Sequence, residues 1–191
     1  MAREEVVSSA SEELILVDEQ DREIGTEAKG ACHEGSGILH RAFSIFVFNA
    51  DDELLLQQRS ASKPLWPLFW SNTCCSHPRR GETMDVAVSR RLRQELGFSC
   101  PVTYLYKFRY QAQFGEIGAE HEYCWVYLGY YDGPVDANVS EIANWRFVDI
   151  KSLNEELEAE AGRFTPWFKL EWAHIREHYL DAILERQELA G

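Results

Sequence analysis

No stretch of this chain approaches the ~20 consecutive apolar residues of a membrane-spanning helix. The opening MAREEVVSSA lacks the basic and apolar stretches of a secretory leader. Basic residues are few: 19 Lys and Arg face 32 Asp and Glu, and the net charge is −13. That balance argues against broad affinity for a nucleic-acid backbone. The five cysteines are an odd number without the spacing of a disulfide framework, so the thiols are expected to be free and the protein cytoplasmic. There is no internal repeat, no low-complexity tract and no linker long enough to divide the chain. One domain over residues 1–191 is expected, with roughly the first ten residues flexible.

The chain does have a hydrophobic fraction of 45%, with 6 Trp, 8 Tyr and 10 Phe, enough for a sizeable core. EELILVDEQDREIGTEAK holds two short strand-like runs around Asp18 to Asp21. AFSIFVFNADDELLLQQRS repeats the pattern around Asn49 to Asp52. PVTYLYKFRYQAQF and EHEYCWVYLGYY read as a further antiparallel pair, and NWRFVDI as one more strand. Helices are expected over 82–96, where Val88, Leu92 and Leu96 recur at i+4 before Gly97, and over 151–160 and 165–189. Pro166 suits a first helical turn. Strand runs with separate helices give an α/β or α+β fold, a mixed β-sheet packed between helices, with an N-terminal hairpin and a C-terminal helical extension.

Charge is uneven along the chain. Residues 57–95 carry Arg59, Lys63, Arg79, Arg80, Arg90, Arg91 and Arg93 against Glu82, Asp85 and Glu95, seven minus three or +4. A solvated, salt-bridged helix face accounts for such a pattern equally well as an attractor for a small polyanion such as a diphosphate. Among six histidines, His174 and His178 read as a half-exposed helix face. In a strand, Glu120 and Glu122 point to one face and His121 to the other. Paired carboxylates and histidines would suit a divalent ion such as Mn, Zn or Mg, but spacing does not show that they converge.

HEGSGILHRAF, WPLFWSNTCCSHPRRGE, RRLRQELG, FRYQA, EHEYC and TPWF, in that order, resemble the type 1 isopentenyl-diphosphate isomerase family. The resemblance implies a Nudix fold. GETMDVAVSRRLRQELGF resembles a Nudix box that retains Glu82, Arg90, Glu95 and Gly97. Ser76 stands in place of its first glycine, and Arg91 and Gln94 in place of metal-binding glutamates. That loss argues against diphosphate hydrolysis, which needs metal-activated water.

The family implies metal ligation by His33, His40, His77, Glu120 and Glu122, and proton transfer by Cys75 and by Glu122 with Tyr110. Trp167 would face the hydrocarbon of the substrate. Lys29, Arg59, Lys63 and Arg91 would hold the diphosphate, and Glu95 a magnesium ion on it. The reaction implied is interconversion of isopentenyl and dimethylallyl diphosphate through a carbocation. The expected partner is a small diphosphate, with no nucleic acid and no membrane span, in a monomer or homodimer. The competing readings are a Nudix diphosphate hydrolase and a non-catalytic isoprenoid-diphosphate-binding protein. A structural zinc module fits poorly, because CCSH lacks a paired CxxC partner.

Overall fold

The computed structural model describes residues 3–186. Strands β1 (Glu13–Val17) and β2 (Glu23–Ala28) form the expected first hairpin. The Asp18 carboxylate closes its turn, accepting from the amides of Gln20 at 2.9 Å and Arg22 at 3.0 Å. A four-residue helix α1 (Lys29–Cys32) follows, too short to leave a periodic signal in the sequence.

Strands β3 (His40–Phe48) and β4 (Leu54–Arg59) flank the expected turn, where the Asn49 side chain accepts from the amides of Asp51 and Glu53. Unlike the first pair, these strands are joined only at Phe48 and Leu54. Short strands β5 (Trp70–Ser71) and β6 (Cys74–Ser76) precede helix α2 (Met84–Leu96). That helix starts two residues later than expected, after its N-cap Thr83, whose ψ of 157° is extended. It ends on Gly97, whose φ of 77° is left-handed. The long strands β7 (Val102–Phe114) and β8 (Gly118–Tyr130) pair antiparallel as expected, and β9 (Ile142–Val148) lies against β4.

Other strands separate β3 from β4. Parallel β8 covers the whole length of β3, and antiparallel β6 covers Phe43 to Ile45. Strand β4 is left to pair with β5 and β9. The result is a mixed sheet with β3 at its centre. The period-2 alternation of β3 serves two cores. Ala42, Phe46 and Phe48 face Phe164, Phe168, Trp172 and Ile175 near the C-terminus. Phe43, Ile45 and Val47 face Ala87, Val88, Leu92 and Leu96 of α2.

Helix α3 (Ile150–Glu160) matches its expected span, and its N-cap Asp149 accepts from Ser152. The expected helix over 165–189 is two helices, α4 (Pro166–His178) and α5 (Leu180–Leu184). They break at Tyr179, whose φ of −128° leaves helical geometry while its ring stacks on Tyr106 of β7. Residues 187–189 lie outside the described part. Residues 3–10, expected to be flexible, make specific contacts. The Val7 carbonyl accepts from Arg91 Nη1 at 3.0 Å, and Ala10 accepts from the Gly30 amide at 2.9 Å. No helix among the described residues is long and apolar enough to cross a membrane.

Candidate active site

Three neighbouring strands build the floor of one cavity. On β6, Cys75 and, just beyond it, His77 reach the cavity. On β3 the same face carries His40 and Ser44, and on β8 it carries Glu120, Glu122 and Cys124. The ladders set this alignment: Ser44 opposes Cys75, and His40 opposes Glu122. Alternation therefore brings together side chains that lie as much as 82 positions apart in the sequence, from Ser44 and His40 to Glu120 and Glu122. His121 points the other way, as expected, toward the Gly37 carbonyl.

The five expected metal ligands converge. One ligand atom from each of His33, His40, His77, Glu120 and Glu122 lies within 4.8 Å of all the others. His33 Nε2 is 2.8 Å from Glu120, and His77 Nε2 is 2.8 Å from Glu122. Two rings are oriented from behind. His33 Nδ1 meets the Lys29 carbonyl at 2.6 Å, and His40 Nδ1 meets that of Ile38 at 2.7 Å. Each Nδ1–H is thereby the donor, which turns each Nε2 toward the cluster, the arrangement common behind metal-bound histidine. His40 Nε2 is buried without a hydrogen-bond partner. Three imidazoles, two carboxylates and an orphaned buried nitrogen fit a divalent ion.

Tyr110 donates to Glu122 Oε2 at 2.6 Å, so Glu122 is held by His77 through one oxygen and Tyr110 through the other. Burial raises the pKa of that carboxyl, but the nearby His40 ring, 3.7 Å away, and the Tyr110 hydrogen bond outweigh it and keep it below the ordinary value. Cys75 lines the cavity, and burial pushes its thiol up to about 12. Cys74 is fully buried in the opposite core and does not reach the cavity. Trp167 is buried against Trp66, with ring centroids 5.3 Å apart and planes at 89°, and its Nε1 donates to Ser71 Oγ at 3.0 Å.

The same cavity, of about 480 Å³, is also lined by Lys29, Arg59, Lys63 and Arg91. Arg59 bonds the carbonyls of Trp66 at 3.0 Å and Leu65 at 2.9 Å, tying down a loop in which Trp66 and Leu68 adopt left-handed φ of 45° and 62°. The Arg59 guanidinium also lies 5.2 Å over the Trp167 ring. Burial and the positive charges of Lys63 and Arg91 lower the pKa of Lys29 to about 8.

One acid escaped sequence reasoning. Glu141 is buried between Lys63 and Arg91 and pairs with both. Its sequence context, VSEIAN, carries no motif. Glu95 stands apart from the histidine cluster. Its Oε1 accepts from Arg91 Nε at 2.9 Å, and its Oε2 from Gln57 at 3.4 Å. Of the basic residues read as a helix face, Arg90 pairs with Glu82 and Arg93 is exposed. His174 and His178 lie on the half-exposed face of α4, with ring centroids 4.3 Å apart.

Comparison with known proteins decides the family. The model of the NUDIX domain matches residues 38–168. The Isopentenyl-diphosphate Delta-isomerase 1 of Photorhabdus laumondii is 41% identical over 174 residues, 90% of this chain and 99% of the relative. The chain belongs to the isopentenyl-diphosphate Delta-isomerase family of Nudix-domain proteins. The Isopentenyl-diphosphate Delta-isomerase of Burkholderia multivorans is 45% identical over 82% of this chain and 89% of its own. A crystal structure of a Deinococcus radiodurans protein superposes with a TM-score of 0.69 over 88% of this chain and 99% of its own, at 22% identity, and shares the fold. Within this isomerase family member, the Nudix box contributes α2 and Arg91 to the site, while its remaining glutamates, Glu82 and Glu95, are both engaged by arginines.

Proposed function

We propose that the protein interconverts isopentenyl and dimethylallyl diphosphate by protonation and deprotonation. The observation that carries this reading is the presence, in one cavity, of Cys75, the Glu122–Tyr110 pair and four cationic side chains. Moving an unactivated double bond requires an acid at one carbon and a base at another. Cys75 and the Glu122–Tyr110 pair fill those roles. A thiol pushed up to about 12 holds its proton at neutral pH, and a carboxyl kept below its ordinary range stands ready as a base. The roles exchange when the reaction runs backwards.

Lys29, Arg59, Lys63 and Arg91 would receive the diphosphate, with Glu141 balancing two of them before it arrives. Trp167 and Tyr110 would line the path of the hydrocarbon, and the Trp167 ring would attract a developing carbocation by about 2 kcal/mol in a dry site. Leu65 and Trp66 would help to exclude water from that cation. His33, His40, His77, Glu120 and Glu122 would hold one divalent ion, of manganese, zinc or magnesium, which when bound supplies positive charge that positions Glu122 and tunes its acidity. A magnesium ion carried in on the diphosphate belongs to the substrate.

Proton NMR of isopentenyl diphosphate in D₂O with the metal-supplemented protein is the test. Appearance of dimethylallyl diphosphate with deuterium incorporation is expected. Release of phosphate or pyrophosphate instead would establish a hydrolase, and binding without turnover a carrier of isoprenoid diphosphates.

A further inference from the structure

The reaction described above leaves one buried acid unused. Glu171 lies one turn beyond Trp167 on α4 and is fully buried. Its helix neighbours Phe168, Trp172 and Ile175 belong to the larger core. No cation pairs with it among the described residues. Its Oε1 accepts from Cys124 Sγ at 3.4 Å, and that sulfur lies 3.5 Å from Ser44 Oγ. Its Oε2 is buried with no hydrogen-bond partner. Burial pushes the carboxyl up to about 8 against the pull of Ser44 and Cys124, so it is a neutral acid at pH 7, able to donate and to accept.

The ladder connects this acid to the proposed chemistry. Ser44 stands directly opposite Cys75 between β3 and β6. Opposed residues of an antiparallel pair share a face, with Cβ atoms roughly 4.5–5.5 Å apart. Glu171, Cys124 and Ser44 therefore form a polar row that runs under the cavity floor and ends beside the Cys75 thiol. A cysteine side chain has three staggered rotamers, and only some of them direct the sulfur to a given substrate atom.

We propose that Glu171 is a positioning residue for Cys75: its carboxyl holds the Cys124 thiol and the Ser44 hydroxyl in place, and Ser44 confines the Cys75 side chain to the rotamer that faces the substrate. The inference rests on Cys75 being a proton-transfer group of the isomerase. The Glu171 carboxyl acts through its shape and hydrogen bonds, so Gln should replace it and an apolar residue should not.

The test measures kcat, KM and melting temperature for Glu171→Gln, Glu171→Leu, Ser44→Ala and the double variant Ser44→Ala/Glu171→Leu. The Leu variant should fold and melt near or above wild type, because an apolar group replaces a buried carboxyl whose Oε2 has no hydrogen-bond partner, in apolar surroundings. Its kcat should fall roughly tenfold or more at unchanged KM, less than the ~10²-fold that a 1 Å misplacement can cost. Glu171→Gln should restore kcat to within about threefold of wild type, since it keeps a donor and an acceptor. Ser44→Ala should resemble the Leu variant, and the double variant should be no slower than the worse single one, because both act along one path.

A wild-type kcat in Glu171→Leu, equal losses in the Gln and Leu variants, or multiplying losses in the double variant would each overturn the proposal. Should Glu171→Leu fail to fold, Ser44→Ala decides, and a wild-type kcat there overturns it. Wild-type protein that does not isomerise overturns the functional reading and this inference together. Wild-type turnover with an unaffected Glu171→Leu overturns the inference alone.

Discussion

Cys74 and Cys75 are adjacent, yet one residue of strand separates two environments. Cys75 opens into the cavity, whereas Cys74 is packed against α2 in the core on the far side of the sheet. Replacing Cys75 by Ala should lower the rate at least ~10²-fold, the low end for a positioned proton-transfer group. Cys74→Ala should instead act on stability, by about 1 kcal/mol for a small buried group, and leave the rate within a few-fold. Turnover and denaturant titration on both variants check this, and the reverse pattern would move the site by one residue. Trp167 permits a finer division between ring face and bulk. Phe keeps a weaker π face and Leu keeps only apolar volume. Trp167→Leu should be slower than Trp167→Phe by about 1–2 kcal/mol in activation free energy, roughly 5- to 30-fold. Equal rates would leave Trp167 as packing.

At the scale of elements, two buried acids act through the segments that carry them. Glu141, just before β9, holds Lys63 from the loop after β4 and Arg91 from α2. Glu141→Gln takes from Lys63 its carboxylate partner and from Arg91 one of its two, and should lower the melting temperature of the free protein. Inorganic pyrophosphate should then raise that temperature more in the variant than in wild type, because ligand binding to the folded state stabilises it in proportion to affinity. Equal shifts would place the anion away from Lys63 and Arg91. Glu171, on α4, makes folding depend on pH. Its folded pKa of about 8 exceeds the ordinary 4.5, so the unfolded chain gives up this proton first as pH rises. The stability tied to the neutral acid is complete below about pH 4.5 and is lost as pH climbs through about 8. The unfolding free energy of wild type relative to Glu171→Leu should therefore fall by a few kcal/mol, in order of magnitude, between pH 5 and 8. A flat difference across that range would mean that Glu171 is ionised in the folded protein.

For the molecule as a whole, the cavity joins the central strands to the N-terminal segment, α1, α2 and α4, and the proposed metal would tie several of them together. Exhaustive chelation should abolish turnover, and replacing His77 by Ala should reduce the bound metal measured by elemental analysis. Full activity in metal-free protein would remove the five-ligand site from the mechanism. Hydrolysis of the diphosphate should be absent, because Arg91 and Gln94 replace two box carboxylates and Glu82 and Glu95 are already paired with Arg90 and Arg91.

Local patterns settled much in advance. Period-2 alternation announced the first hairpin and the β7–β8 pair, and it separated His121 from Glu120 and Glu122. Recurrence at i+4 announced α2, with Gly97 supplying the left-handed residue at its end. These are properties of short segments, and side-chain periodicity expresses them directly. Family motifs singled out Cys75, which lines the cavity, over Cys74, which does not, and named the five histidine and glutamate residues that converge. Four features depended on contacts between distant segments. Tyr179 breaks the C-terminal helix while it stacks on Tyr106 of β7. The edges of β3 are occupied by β6 and β8, so the second hairpin opens beyond Phe48 and Leu54. Glu141 lies in an unremarkable stretch and becomes part of the site only because Lys63 and Arg91 are folded onto it. Glu171 looks like any charged position on an amphipathic helix, and only the packing of α4 over Ser44 and Cys124 buries it. Burial and pairing are sums over neighbours remote in the chain, so the charge state and role of these two acids were decided by tertiary structure alone.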